Sequence, residues 1–350
     1  MEQLEKIFIN TPAVDITDRD KLVIFSDLHM GDGGRMDDFL HNAPLFKHIL
    51  ENYYEKKNYK LTLNGDIDEL QRFSLKKVTT RWQDLYKIFK RFHNGQSLFK
   101  TVGNHDLELS FIKRKPENIP IREALKLRYH KQFIFILHGH QAGNWIFKKI
   151  HWLIHIVLRI FANSLRIRNY TVAQNNRKKF KVEKRVYDFA RKTKIMAIIG
   201  HTHRPLFESL SKKENLRFKI ENLCREYPAA NAAKKKVLEK RITKVKKALQ
   251  EILHKKEEDL ISNLYNSNLE PLIPCIFNSG SAIGKRGITS IEISHGNIRL
   301  IYWFDKNVPQ KYFDLNGYEL EQLEDSPYCR VVLKEESLNY MFTRIELLAD

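Results

Sequence analysis

Five short apolar runs, at residues 21–25, 59–63, 98–102, 132–137 and 195–199, punctuate the first part of the chain. Each is strand-length, and each stops at a polar cluster. Between them, stretches such as 44–57 and 80–93 space their apolar residues as helices do. Strands alternating with helices predict an α/β sheet covered on both faces. Polar residues where such strands end belong to the crevice in which these sheets bind ligands. Two later runs, 274–277 and 288–293, predict strands that close the core. The turn His295-Gly296-Asn297 leads from the second into 298–303, a hairpin. Beyond residue 318 the periodicity fades. The organisation expected is a core at 1–206, a helical insertion at 207–270, closing strands at 271–318 and a C-terminal tail at 319–350.

Two stretches depart from the strand–helix rhythm. Residues 145–161 are strongly apolar, with Lys148, His151, His155 and Arg159 as one narrow polar stripe at helical spacing. Such a helix is either buried against the core or faces a lipid interface as a lid. In the insertion at 207–270, Leu238, Ile242, Val245, Leu249 and Ile252 alternate four and three apart. This short heptad-like seam suits an antiparallel hairpin, packing on the body or a dimer contact.

Charge sharpens the picture. The net charge is +19. Residues 144–194 carry 14 Lys/Arg against Glu183 and Asp188, and residues 211–258 carry 15 against 7 acids. The excess therefore lies in two helical insertions and leaves the rest nearly neutral. Basic segments of this kind attract nucleic acid, anionic membrane or phosphorylated substrate, though solvated helical faces look the same. Cys224, Cys275 and Cys329 are odd in number and widely separated, which argues against a disulfide framework and for a reducing, cytoplasmic setting. No apolar run is long enough for a membrane span, and the first residues lack a signal-peptide layout.

The polar clusters at the strand ends carry the chemistry. In order they are Asp27-Leu28-His29, Gly65-Asp66, Gly103-Asn104-His105-Asp106, His138-Gly139-His140 and Gly200-His201-Thr202-His203. All offer carboxylate, amide or imidazole donors, which suit Mn, Fe, Zn, Co or Ni better than Ca. Asp66, with two oxygens, is the natural bridge between two ions. Asn104 adds an oxygen without adding charge that would repel phosphate. A metal pair generates a hydroxide at neutral pH and clamps a phosphate during attack.

These motifs resemble the calcineurin-like metallophosphoesterase superfamily in identity and order, over residues 21–206 and 275–304. The resemblance implies a four-layered αββα sandwich. It implies one ion, most naturally Mn, held by Asp27, His29, Asp66 and His203. A second would be held by Asp66, Asn104, His138 and His201. A hydroxide between them would attack phosphorus, and His105 would protonate the leaving oxygen. In phosphatase branches an Asp three residues past the bridging Asp supports this histidine. Here that position is Glu69, beside Asp68. Asp106, Arg204 and His140 would lie behind the ligands or meet substrate. The segments Ser26-Asp27-Leu28-His29-Met30-Gly31-Asp32, Gly65-Asp66-Ile67-Asp68-Glu69 and Gly200-His201-Thr202-His203-Arg204-Pro205 are similar to the UDP-2,3-diacylglucosamine diphosphatase branch. Many enzymes of that branch carry Arg where this chain has His105, and they lack the insertion at 207–270.

The expected activity is dimetal hydrolysis of a phosphate ester or pyrophosphate on a small-molecule or lipid-linked substrate. The expected place is the cytoplasm, with the inner membrane face as a peripheral surface. The alternatives are a nuclease or cyclic-nucleotide phosphodiesterase, and a scaffold of the same fold without catalysis.

Overall fold

The computed structural model describes residues 2–113, 115–143, 176–207, 273–283, 287–310 and 318–349, with 216, 220–221, 223–225, 227–228 and 230–254. The expected apolar helix at 145–161 lies outside the described residues. The chain divides into two compact units, residues 1–207 with 275–350, and residues 208–274.

The larger unit is a mixed α/β fold with two sheets. Its strands are β1 (Ala13–Ile16), β2 (Leu22–Phe25), β3 (Lys60–Asn64), β4 (Leu98–Thr101), β5 (Ile121–Arg122), β6 (Ala124–Tyr129) and β7 (Gln132–Leu137). They continue with β8 (Met196–Ile199), β9 (Ile276–Asn278), β10 (Ile288–Ser294), β11 (Asn297–Asp305), β12 (Leu320–Gln322) and β13 (Tyr328–Ser337). The smaller sheet runs β1-β6-β7-β8-β9, and the larger runs β12-β13-β11-β10-β2-β3-β4-β5. All four residues of β2 are fully buried. Val23 and Phe25 belong to the cluster containing Phe46 and Tyr54, while Leu22 and Ile24 alternate to the opposite face. Both faces of that sheet are therefore covered, which explains the unbroken apolar run in the sequence.

Helices cover the sheets from outside. On the smaller sheet, Phe8 of α1 (Glu2–Asn10) meets the edges of Phe133, Phe135 and Phe189. On the larger, Phe46 of α2 (Ala43–Ile49) packs edge-on against Phe25. The stretch expected as one helix at 44–57 is α2 running into a π-helical segment, Leu50–Glu55. The second expected helix, 80–93, is α4 (Gln83–Asn94), and a short α3 (Leu75–Arg81) precedes it. Helix α5 (Asn176–Thr193) precedes β8.

Residues 319–350, expected as a tail, add β12, β13 and a C-terminal helix, Leu338–Leu348. Strand β13 pairs with β11 along nearly its whole length, with an irregularity between Leu300 and Ile301. A buried ion pair fastens it: Arg330 donates to Glu292 on β10 at 2.6 and 3.2 Å. Tyr54 donates to the same carboxylate at 2.8 Å, and Trp303 donates to Tyr54 at 2.8 Å.

In the smaller unit, α6 (Ala232–His254) buries Leu238 and Val245 with Leu223, against Leu216, Ile220, Tyr227 and Ile242. Leu238, Ile242 and Val245 of the expected seam therefore face the segment just before the helix.

Candidate metal centre

The ends of β2, β3, β4, β7 and β8 bring the five polar clusters to one place. Loops from the two sheets are tied together there. Ser26 and Ser279 hydroxyls lie 2.8 Å apart, and Asn64 donates to the Leu137 carbonyl at 2.9 Å. Three overlapping groups of donor atoms result: Asp27, His29 and His203; Asp66, His138 and His201; and His29, Asp66 and His105. Within each group the donor atoms lie within 4.8 Å of one another. The first two groups contain six of the seven ligands that the resemblance implies, and Asp66 recurs in the third.

The turns that aim these side chains are strained. Asp27, His29, Asp66, His201 and His203 all have positive φ, between 51° and 64°. Left-handed backbone at non-glycine residues costs about 1–3 kcal/mol each and persists only where surroundings enforce it. Its concentration on five of the seven expected ligands marks a constellation built for something other than stability. Two glycines make the close approach feasible. A Cβ on Gly65, itself at φ +76°, would lie 2.6 Å from the His138 ring, and one on Gly103 would lie 2.1 Å from Asp66 Oδ1.

Second contacts fix each donor. The His201 amide donates to both Asp27 oxygens at 2.9 and 3.1 Å, and the His105 amide donates to Asp66 Oδ1 at 2.7 Å. His138 donates from Nδ1 to the Asn64 carbonyl at 3.0 Å, which turns Nε2 toward Asp66 Oδ2, also 3.0 Å away. Such second contacts set which imidazole nitrogen is left to bind a metal.

Glu69 holds two imidazoles at once. Its Oε2 accepts from Nδ1 of His29 at 2.9 Å and of His105 at 2.8 Å, and its Oε1 lies 2.9 Å from the latter. The two rings meet edge to face, 4.6 Å apart. The neighbouring Asp68 turns away, accepting from Lys100 at 2.7 Å and Tyr86 at 2.6 Å. Of these two acids, Glu69 is the one that contacts His105.

Charge in this dry site is out of the ordinary. Burial pushes Asp27 and Asp66 up, but His203 and His138 facing them more than reverse it, so both are held below the usual carboxylate range. Glu69 is lowered likewise against its burial, by His105 and His29. Burial would lower His138 and His105; Asp66 and Asp27 push the first up to about 10, and Glu69 and Asp66 push the second up to about 9. Burial, with His138 beside it, drives His201 down to about 3. Burial and Asp66 raise Asp106 to about 6. Buried carboxylates demand a cation nearby.

A metal pair fits these residues. Asn104 stands between Gly103 and His105, both against Asp66, and its buried Oδ1 accepts no hydrogen bond from any described residue. A buried amide oxygen without a donor is costly unless something electropositive meets it. Two carboxylates, one amide and four imidazoles leave a pair of divalent ions with a net positive charge, which suits a phosphate.

The remaining expected residues are placed as follows. Asp106 accepts from the Gly103 and Ile67 amides at 2.6 and 2.9 Å, locking the two turns together. His140 lies beside the rings of His138 and His201, 5.5 and 6.4 Å away, in none of the donor groups. Arg204 pairs with Glu183, a fully buried acid on α5 that also accepts from Thr202 at 2.8 Å. Glu183 escaped the sequence reading because it sits in a basic amphipathic run with no motif. Asn278, which donates to Gly200 and Thr202 at 3.0 and 2.9 Å, was also missed. Its position at the end of an apolar strand was the available signal.

The model of the calcineurin-like phosphoesterase family matches residues 21–207. No curated protein matches the chain in sequence. Among solved structures it is similar to a predicted phosphoesterase of Streptococcus pneumoniae, at 11% identity and TM-score 0.30, over 81% of this chain and 89% of that one. It is also similar to vacuolar protein sorting 29 of Cryptosporidium parvum, at 11% identity and TM-score 0.37, over 91% and 98%. A single-mutant Vps29 of Entamoeba histolytica matches at 11% identity and TM-score 0.33, over 90% and 99%. Likenesses this distant say nothing about activity.

Proposed function

The chain belongs to the calcineurin-like phosphoesterase family, and on that premise we propose that it is a dimetal hydrolase of phosphate esters. One observation carries this reading: the Asp27, His29, His203 and Asp66, His138, His201 groups converge beside His105, whose ring Glu69 holds in place.

Asp27, His29, Asp66 and His203 would hold one ion, and Asp66, Asn104, His138 and His201 the other. Bound there, a metal pair supplies an attacking hydroxide and offsets charge on the phosphoryl oxygens. The chain's own residues do the rest. His29 and His138 present Nε2 because Glu69 and the Asn64 carbonyl occupy their Nδ1. Asp106 keeps the turns of Asp66 and Asn104 in register. His105 holds a proton at Nε2, 4.0 Å from Asp66 Oδ2, and delivers it to the leaving oxygen.

That proton donor favours an ester. An alkoxide leaves poorly without a proton, whereas the phosphate leaving group of an anhydride needs little help. A second reading, a UDP-2,3-diacylglucosamine diphosphatase, is favoured by the motifs around Asp27, Asp66 and His201. Manganese is the metal of choice for testing both, and a peripheral membrane position belongs only to the second. Among the described residues no helix is long and apolar enough to cross a membrane.

The test loads the protein with manganese, measures metal stoichiometry, and compares a phosphomonoester, a phosphodiester and a nucleotide-diphosphate lipid. Hydrolysis of an ester with two ions bound is expected. Preference for the lipid diphosphate would select the second reading. No turnover of any substrate at full occupancy would overturn both.

A further inference from the structure

Helix α6 of the smaller unit carries two opposed faces. At about 100° per residue, Leu238, Ile242, Val245 and Leu249 share one side. Of these, Leu238 and Val245 are buried in the unit's own cluster, with Ile242 packed against it. Lys236, Lys240, Lys244 and Lys247 fall on the opposite side and are exposed. The helix holds seven lysines and one arginine against Glu239 and Glu251. Glu239 lies off the stripe and accepts from the Tyr227 hydroxyl; Glu251 closes the stripe at its C-terminal end.

We propose that this lysine stripe is a docking surface for duplex DNA, held through its phosphate backbone. The stripe spans about 16 Å at the ~1.5 Å rise of a helix, and its i,i+4 steps are about 6 Å. That is a density of positive charge able to meet successive phosphates. A helix about 10–12 Å across enters the B-form major groove, ~12 Å wide. The deep, narrow major groove of duplex RNA excludes it. Residues 232–254 contain no Phe, Tyr or Trp, and the single imidazole, His254, is the last residue of the helix, so the lysine stripe lacks the stacking platform that single strands require. Nor does it offer a membrane an apolar face: Leu238, Ile242 and Val245 pack inside the unit, and among the described side chains of this helix Val237 is the one large apolar group that is exposed. Lysines rather than arginines suit point-charge contact with phosphates over base readout.

The experiment uses the full chain in EDTA, so that hydrolysis cannot consume the probe and the outcome is independent of the catalytic reading. A labelled duplex of about 20 base pairs is titrated from about 50 to 200 mM salt. Four phosphate contacts predict a slope of about −3.6 for log affinity against log salt. Replacing Lys236, Lys240, Lys244 and Lys247 by Gln should lower affinity about a thousandfold near 0.1 M salt and flatten the slope. Gln matches Lys in helix propensity, and circular dichroism checks the fold. Should that variant misfold, the pair Lys236→Gln and Lys240→Gln should halve the slope. A control variant with Lys56, Lys76, Lys77 and Lys87 changed to Gln should bind as the parent does. No duplex binding at the lowest salt, unchanged binding by the folded stripe variant, or tighter binding to single strands, duplex RNA or phosphatidylserine vesicles would each overturn the proposal.

Discussion

Replacing Glu69 by Gln should damage two functions through one atom. In the native site Oε2 serves His29 at 2.9 Å and His105 at 2.8 Å. An amide has only one acceptor oxygen, and its NH2 is a donor. Both rings share Oε2 and His105 also meets Oε1, so whichever way the amide turns one ring faces an N–H: His29 where nitrogen takes the Oε2 position, His105 where it takes Oε1. If that ring is His29, its proton must move to Nε2, which removes the lone pair a metal needs. If it is His105, the ring loses the carboxylate that holds its charge. A hydrogen bond to a charged group contributes about 1.5–3 kcal/mol, equivalent to roughly ten- to a hundredfold in an equilibrium. Loss of such second contacts weakens metal binding by a similar factor, about 10–100-fold. Metal affinity is read by competition with a chelating dye. Proton donation is read by comparing an alkyl ester with an activated aryl ester. The variant should bind its first ion about ten- to a hundredfold more weakly and lose more rate on the alkyl ester. Glu69→Asp, which keeps charge but is one methylene shorter, should recover only one of the two defects. Unchanged metal affinity together with equal rate losses on both esters would refute a shared clamp.

Three further outcomes are expected. Gly103→Ala drives a methyl to 2.1 Å from Asp66 Oδ1 and 2.3 Å from its amide nitrogen; stoichiometry by mass spectrometry should fall below two ions, and full occupancy would count against the close approach. In the metal-free protein His138 is raised to about 10 from an ordinary 6.5. Its charged form therefore stabilises the fold fully below the unfolded value, and that contribution is lost as pH rises toward 10. A metal must displace the same proton, so calorimetric affinity should rise about tenfold per pH unit across this window, and a flat profile would contradict it. Arg330→Met strands the buried Glu292 and should cost about 3–5 kcal/mol by denaturant titration; adding Glu292→Gln should restore part, and a cost near zero would mean the pair contributes nothing.

The metal motifs were legible because each follows an apolar strand, so identity and place pointed the same way. Asp27 and Asp66 end adjacent strands, β2 and β3, but His201 follows β8 in the other sheet, and only the resemblance of the motifs joined it to them. Their left-handed backbone could not be read, since no local residue type demands it. Glu183 was invisible for another reason: its partners Thr202 and Arg204 lie about twenty residues away, and only packing unites them. Strand β13 was lost because Arg330 and Lys334 break the apolar alternation. The first finds its counter-charge in Glu292, on a strand with no motif to advertise it.

Strand β2 borders β3 on one side and β10 on the other, and β10 lies some 260 residues downstream. At a synthesis rate of about 5–20 residues per second, that edge waits roughly ten to fifty seconds for its partner. Asp27 is just past the end of β2, and its carbonyl is capped by the Ala282 amide only once the same distant region arrives. During translation the nascent chain therefore carries an open, wholly apolar strand edge and half-assembled turns at Asp27 and Asp66. Every proposed ligand, from Asp27 to His203, is translated before β10, so the edge of β2 closes only after the whole ligand set has been made.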